Sequence, residues 1–348
     1  MHDARQMADF LSELQGKQVL ITTHAAPDGD AIGSVSAMAY LLGQVGAQVK
    51  IILIGGCPDN LKWILPPVDG GDKGFGVERV RRFSELAHWL PDVFVAVDCG
   101  DGERPGGEIA DFFARQELPA PQWKNTVTVN IDHHLKNPMF GTYNICEPHK
   151  AATAEIIGDI ARIMQMPFTG HFGEAIYVGL VTDTGNFTFS NTTAQTLTMA
   201  AEIVENGLEV AQITDKLYNN WSIARMNLWG QLMSEMSLHL DGSIARSVIS
   251  LALLDKYGAG KADLEGFAGW MRHLSGVKAS LLVREDAPGK VKISVRSMGD
   301  VDVRAVAETF GGGGHKAAAG ATLDLPVNEA ADVVLERLID EMGKTTVD

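Results

Sequence analysis

The chain has 348 residues, more than one compact core sustains, so two domains are the default. A formal charge of −15 argues against wrapping a long duplex, because such binding draws most of its energy from Lys and Arg neutralising phosphates. No apolar run reaches the roughly eighteen residues of a membrane helix. The three cysteines, Cys57, Cys99 and Cys146, are far apart and form no CxxC pair, which fits reduced thiols in a cytoplasmic protein.

The N-terminus lacks a signal-peptide pattern and reads as an amphipathic helix over 4–14. A strand at 19–23 is followed by a helix at 31–45 and a second strand at 49–54. Helical spacing over 78–90 precedes an apolar strand at 93–97, a helix at 108–116, a strand at 127–131 and a helix at 154–164. Strands alternating with helices predict an α/β fold, a mostly parallel sheet with helices on both faces. Residues 194–206, 210–217 and 223–236 are helical in pattern with no convincing strand between them. Strand signals return at 244–251, 279–284 and 291–296, with helices at 264–271, 303–310 and 328–342. The expected organisation is a catalytic domain over 1–192, a helical connector over 193–236 and a smaller α+β domain over 237–348. The last segment carries 13 Lys and Arg against 16 Asp and Glu, which leaves −12 on the rest. The apolar helix at 223–236 offers a homodimer seam as readily as a packing face between the domains.

The chemistry concentrates in four clusters: His24 with Asp28 and Asp30, then Asp98, then Asp132-His133-His134, then Asp183. Each follows an apolar run and is expected at the C-terminal end of a strand, where open parallel sheets place their crevice. Pro27 and Gly29 make the first cluster a tight loop, from which Asp28 and Asp30 can address two metals. Asp30 alone can also be read as a helix cap. Asp98 can bridge two ions through its two oxygens. The adjacent histidines project differently, so one can ligate a metal while the other faces substrate, with Asp132 orienting an imidazole. Asp183 ends an apolar helix and completes six candidate ligands. The donor set suits two divalent ions, Mn²⁺ or Mg²⁺ rather than zinc. In the second domain the glycines Gly311 to Gly314 expose backbone N–H groups that can cradle phosphate, and His315 stands beside them. Strand alternation puts Ser294 and Arg296 on one face, where the guanidinium can grip phosphate.

These residues together resemble the four motifs of the DHH phosphoesterase superfamily, and Arg296 with Gly311 to His315 resembles its associated C-terminal domain. Within the superfamily the chain is most similar to the branch of bifunctional oligoribonucleases and 3′-phosphoadenosine-5′-phosphate phosphatases. The resemblance implies one metal on His24, Asp28 and Asp98, and another on Asp30, Asp98 and His133 with Asp183. It implies Mn²⁺ as the usual ion, His134 facing the scissile phosphate, and Arg296 with Ser294, Gly312, Gly313, Gly314 and His315 binding substrate. The expected partners are short single-stranded RNA or DNA oligonucleotides, or phosphorylated mononucleotides. The expected reaction is phosphoester hydrolysis by water activated between the two ions. Alternatives are a cyclic dinucleotide or pyrophosphate as substrate, an exonuclease on long single strands, and a non-catalytic nucleotide-binding regulator. A long-strand enzyme favours stacking aromatics, and Trp221, Trp229 and Trp270 lie instead in helical patterns.

Overall fold

The computed structural model describes residues 2–67, 77–86, 89–117, 119, 121–219 and 221–345, apart from the side chains of His315 and Thr345. It divides into two compact units, Met1–Asn220 and Trp221–Asp348.

The first unit opens with α1 (Ala4–Ser12), capped by Asp3, which accepts from the Gln6 N–H. Then follow β1 (Gln18–Thr22), α2 (Gly29–Val45), β2 (Gln48–Ile52), β3 (Glu78–Val80) and β4 (Val93–Val97). After α3 (Gly107–Arg115) come β5 (Val127–Asp132) and β6 (Tyr143–Cys146). The helices α4 (Thr153–Ile163), α5 (Gly170–Asp183), α6 (Ala194–Glu205) and α7 (Val210–Tyr218) complete the unit. The strands form one sheet in the order β3-β2-β1-β4-β5-β6, and every pair is parallel. Strand order reverses between β1 and β4, and at such switch points ligands bind beyond the carboxyl ends.

Both faces are covered, as the sequence predicts. On one, α1, α2, α4 and α5 bury Met7, Leu11, Ile32, Met38, Ile157 and Ile176 against Val19, Ile21 and Val95. On the other, Ile109, Phe112 and Phe113 of α3 join Trp123 over Leu20, Ile52 and Phe94. From Gly29 to Leu42, α2 is buried on every side, so it reads as a central helix and not as an amphipathic one. The N-terminal segment lies along the outer edge of β6. The His2 N–H donates to the Asn144 carbonyl at 2.7 Å, and Phe10 stacks on Tyr143 at 4.2 Å.

One expectation for this unit needs correction. Residues 78–90 do not form a helix: β3 is followed by a 3-10 turn at Phe83–Leu86, and residues 87 and 88 lie outside the described residues. The apolar spacing is real, but Val80 extends the sheet while Phe83 and Leu86 pack over Phe94. The short edge strand β6 had no counterpart in the sequence reading.

The second unit contains α8 (Ile223–Glu235), β7 (Ser237–His239), β8 (Ile244–Ile249), α9 (Leu251–Tyr257), α10 (Phe267–Trp270), β9 (Ala279–Ala287) and β10 (Lys290–Ser297). It closes with α11 (Val303–Thr309), β11 (Gly313–His315), β12 (Ala318–Leu323) and α12 (Val327–Thr345). The helices α6 and α7 therefore belong to the first unit and α8 to the second. The second sheet is mixed, in the order β11-β12-β10-β9-β8-β7, with only β8 and β9 parallel. One face packs on α11 and α12; the other packs on α8, α9 and α10. The helix expected over 264–271 is broken into a 3-10 turn at Lys261–Leu264 and the four-residue α10. Trp229 and Trp270 sit in this core around Phe267. Trp221 contacts Trp229 at 4.5 Å, with Arg225 over its ring. Among the described residues no helix is long and apolar enough to cross a membrane, and all three cysteines are free.

Candidate active site

The loops after β1, β4 and β5 and the end of α5 bring six side chains together at the carboxyl edge of the first sheet. Asp98 stands at their centre. It follows the last residue of β4 in a left-handed conformation, φ 55°, while its N–H donates to the Ile131 carbonyl at 2.9 Å. A non-glycine residue held there costs on the order of 1–3 kcal/mol and persists where the surroundings fix it, often at functional sites. The side chain is buried, and its oxygens diverge. Oδ2 lies 3.5 Å from His24 Nε2; Oδ1 lies 3.7 Å from His133 Nε2 and 3.6 Å from His134 Nδ1.

The first cluster divides its aspartates differently from the capping alternative. Asp28, not Asp30, caps α2, accepting from the Ala31 N–H at 3.1 Å. Its carboxylate is 4.0 Å from His24 Nε2. Asp30 is buried and accepts from the start of α4: Thr153 N–H to Oδ2 at 2.7 Å and Ala154 N–H to Oδ1 at 3.0 Å. The N–H groups of a helix start, and the positive end of its dipole, favour such an anion. The Thr153 hydroxyl donates to Asp98 Oδ1 at 3.1 Å, so one buried threonine contacts two carboxylates of the cluster. Gly179 of α5 makes room for this arrangement: a Cβ there would stand 2.7 Å from Asp30 Oδ1 and 2.4 Å from Ala154 Cβ.

The histidines are oriented from behind. His133 Nδ1 lies 3.2 Å from the Lys150 carbonyl, which selects the Nδ1–H tautomer and leaves Nε2 facing Asp98, Asp30 at 3.9 Å and Asp183 at 3.5 Å. His134 is held by Asp132, whose Oδ1 is 2.8 Å from Nδ1 and whose Oδ2 accepts the His134 N–H. Asp132 Oδ2 also accepts from Asn137, which donates to Asn130 Oδ1 as well. Asp132 thus stands behind His134, whereas the candidate ligand His133 is backed by the Lys150 carbonyl instead of a carboxylate. Asp183 is the last residue of α5. It is a helix-end carboxylate and not a strand tip, and the turn after it is fastened by Asn191 donating to its carbonyl.

These positions form three overlapping groups: His24, Asp28 and Asp98; Asp30, His133 and Asp183; and Asp98, His133 and His134. Within each, one donor atom per residue lies within 4.8 Å of the others. The electrostatics fit cations. Burial, with Asp98 and Asp183 nearby, pushes the Asp30 carboxyl well above the usual range. Burial also pushes Asp183 up to about 6. Burial alone would raise Asp98 too, but hydrogen bonding to His24 and the neighbouring imidazoles hold it at about 2. Carboxylates crowded out of water in this way are relieved by a divalent ion, which inverts the local charge.

Ser294 and Arg296 lie on the second unit's sheet, on the face opposite the buried Val291, Ile293 and Val295. Arg296 donates to the Val295 carbonyl and has no carboxylate partner among the described residues. Burial lowers its pKa, and the nearby Arg272 lowers it further. The glycine run is not the open cradle expected. The N–H groups of Gly311 and Gly312 close the end of α11 on Glu308 and Ala307, and Gly313–His315 is an edge strand on β12. Close approach explains the glycines, since a Cβ on Gly312 would meet the Gly320 carbonyl at 2.2 Å and one on Gly314 the Ala318 carbonyl at 2.4 Å. The His315 side chain lies outside the described residues.

Sequence reasoning missed Thr153, Asn130, Asn137 and the Lys150 carbonyl. Each acts across a gap in sequence that no local pattern announces. It also passed over Arg104, whose carbonyl accepts from Ala25 in the first loop at 2.8 Å.

Residues 18–180 match the DHH family N-terminal domain, and residues 244–344 match the DHHA1 domain. The chain is 31% identical over 343 residues to a Thermus thermophilus protein named bifunctional oligoribonuclease and PAP phosphatase NrnA, across 98% of this chain and 94% of that one. A Bacillus subtilis protein of the same name is 24% identical over 88% of this chain and 89% of its own. The crystal structure of an exopolyphosphatase-related protein from Bacteroides fragilis is similar with a TM-score of 0.83 and 28% identity, covering 97% of this chain and 96% of that one.

Proposed function

The chain belongs to the DHH family, and from that premise we propose that it is a two-metal phosphoesterase hydrolysing short oligonucleotides and 3′-phosphoadenosine-5′-phosphate. What carries the reading is Asp98, a buried carboxylate whose two oxygens face His24 on one side and His133 on the other. In this reading His24, Asp28 and Asp98 would hold one divalent cation, and Asp30, Asp98, His133 and Asp183 the second; such ions would supply Lewis-acid activation of water and charge neutralisation, and a donor set of four carboxylates and two imidazoles suits Mn²⁺ or Mg²⁺.

The remaining work falls to the chain. Thr153 and the start of α4 hold Asp30 and Asp98 in place. The Lys150 carbonyl engages His133 Nδ1 and turns Nε2 toward the carboxylates. Asp132 turns His134 so that Nε2 addresses the phosphoryl group; burial would lower the His134 pKa, but the Asp132 hydrogen bond and Asp98 raise it overall. An imidazole N–H there can donate to the phosphoryl oxygens and stabilise their negative charge. Ser294, Arg296 and the strand Gly313–His315 bind a substrate phosphate or base that does not react.

The test is divalent-metal-dependent hydrolysis of one length series: 3′-phosphoadenosine-5′-phosphate, RNA and DNA of two, three, five and twenty-four residues, linear and cyclic dinucleotides, and pyrophosphate. Preference for the shortest oligonucleotides and the bisphosphorylated nucleotide is the expected result. Preference for the 24-mer, a cyclic dinucleotide or pyrophosphate overturns the substrate assignment. Absence of metal-dependent hydrolysis of any of them overturns the chemistry.

A further inference from the structure

Among the described residues Arg104 has no counter-ion, and it lies beside the proposed reaction centre. Its backbone is fixed at both ends. The N–H donates to Asp101 Oδ1 at 3.0 Å, and the carbonyl accepts from Ala25, in the loop before α2 that carries His24 and Asp28. The side chain runs alongside His134. Arg104 Nε lies 3.8 Å, and His134 Cβ and Cγ 3.2 and 3.4 Å, from the point a Cβ on Gly100 would occupy. Gly100 thus leaves open the space that the guanidinium and the imidazole share.

The carboxylates nearest in sequence are engaged elsewhere. Asp101 Oδ1 accepts the Glu103 and Arg104 N–H groups, and Glu103 pairs with Arg115 at 3.3 Å. Among the described residues the Arg104 guanidinium has no hydrogen bond or ion pair, although the chain carries 44 Asp and Glu against 29 Lys and Arg. An arginine that avoids the abundant carboxylates of an acidic protein and stands in solvent beside a histidine is placed for an anion that arrives from outside.

We propose that Arg104 binds the phosphoryl group undergoing hydrolysis, taking its non-bridging oxygens from the His134 side. The proposal rests on the phosphoesterase reading. The ligand class is a phosphate monoester or diester, and the planar fork matches two of its oxygens. During hydrolysis the bond from water oxygen to phosphorus forms, the ester P–O bond breaks, and the electron pair leaves with the alkoxide. Arg104 moves no proton, because guanidinium does not deprotonate in proteins. Its part is to meet the charge on the phosphoryl oxygens, a contact that strengthens as that charge rearranges.

The experiment compares the full-length protein with Arg104→Ala and Arg104→Lys, loaded with Mn²⁺ and checked for equal metal content and thermal midpoint. Hydrolysis of a diribonucleotide is followed together with titration of inorganic phosphate. Arg104→Ala is expected to lose about a hundredfold in kcat/KM and to bind inorganic phosphate about tenfold more weakly. Added guanidinium ion is expected to restore part of the Arg104→Ala rate and to leave wild type unchanged. Arg104→Lys, which keeps the charge without the fork, falls between. Unchanged kcat/KM and phosphate affinity in Arg104→Ala at full metal content would overturn the proposal. If wild type cleaves no phosphoester, the functional reading fails, and the phosphate titration still decides whether Arg104 is an anion ligand.

Discussion

Thr153→Val replaces the hydroxyl with a methyl of nearly the same shape and leaves both backbone donors to Asp30 intact. What it removes is the bond from Oγ1 to Asp98 Oδ1, 3.1 Å long and fully shielded from water. A hydrogen bond to a charged, buried acceptor contributes about 1.5–3 kcal/mol. For a unit of this size that corresponds to a fall of roughly 3–12 °C in thermal midpoint. Asp98 loses this hydroxyl donor while it faces three imidazoles, so its orientation loosens too. Groups of this kind behind a metal ligand are worth about ten- to hundredfold in affinity. The assay is titration of Mn²⁺ into metal-free protein, with thermal unfolding measured at zero and saturating metal. Thr153→Ser, which keeps the hydroxyl, should recover most of the affinity. Thr196→Val supplies the control. Its hydroxyl donates to Glu155 Oε2 at 2.9 Å, near the same helix start but outside the ligand set, so it should cost stability without changing metal affinity. If Thr153→Val binds Mn²⁺ as tightly as wild type, or if Thr196→Val loses as much affinity, the positioning argument is wrong.

Asp98→Ala removes the carboxylate shared by both metal groups and should abolish hydrolysis at saturating Mn²⁺; turnover near the wild-type rate would sink the shared-ligand assignment. Gly179→Ala drives a methyl against Asp30 Oδ1 and Ala154 Cβ. Overpacking of this kind costs about 1–3 kcal/mol, and here it should also weaken metal binding, as calorimetry on the metal-free protein would reveal. In the second unit, hydrogen bonding from Arg284 and Lys261 holds the Asp286 carboxyl below its usual range. Its stabilisation is therefore present above the unfolded-state pKa of about 4 and lost as pH falls through the folded value. Asp286→Asn should destabilise near neutral pH, with the difference shrinking as pH falls through the folded value, which urea midpoints across pH would check.

The alternation of strands and helices was legible because the sheet is parallel and buried on both sides, so its central strands read as short apolar runs. Val93–Val97 is buried at every position, and such a run with an aspartate after it announces itself. The failures lie where tertiary contacts overrule local pattern. Leu86 and Phe83 have helical spacing, yet they serve a sheet face. Tyr143–Cys146 is four residues long, too short to stand out beside Asn137 and Pro138. The glycine run looks like a loop because its neighbour β12 lies after it in sequence. At the candidate site, aspartates and histidines stood out by type. Thr153 and Asn137 did not, since a threonine beginning a helix and an asparagine before a proline are common for local reasons. Only the fold reveals that Thr153 spans 55 positions to reach Asp98 and 123 to reach Asp30.

The segment along β6 bears on how the protein is handled in the laboratory. A parallel sheet ends in a row of backbone groups open to any passing extended chain. Here His2 supplies the Asn144 carbonyl with a donor and offers Nδ1 to the Asn144 N–H at 3.2 Å, while Phe10 covers Tyr143. Residues 2–12 thus act as a selvedge that keeps the fabric from being extended by a neighbour. Trimming them for crystallisation, or fusing a tag that pulls His2 away, exposes that border and invites aggregation while leaving every residue of the reaction centre in place.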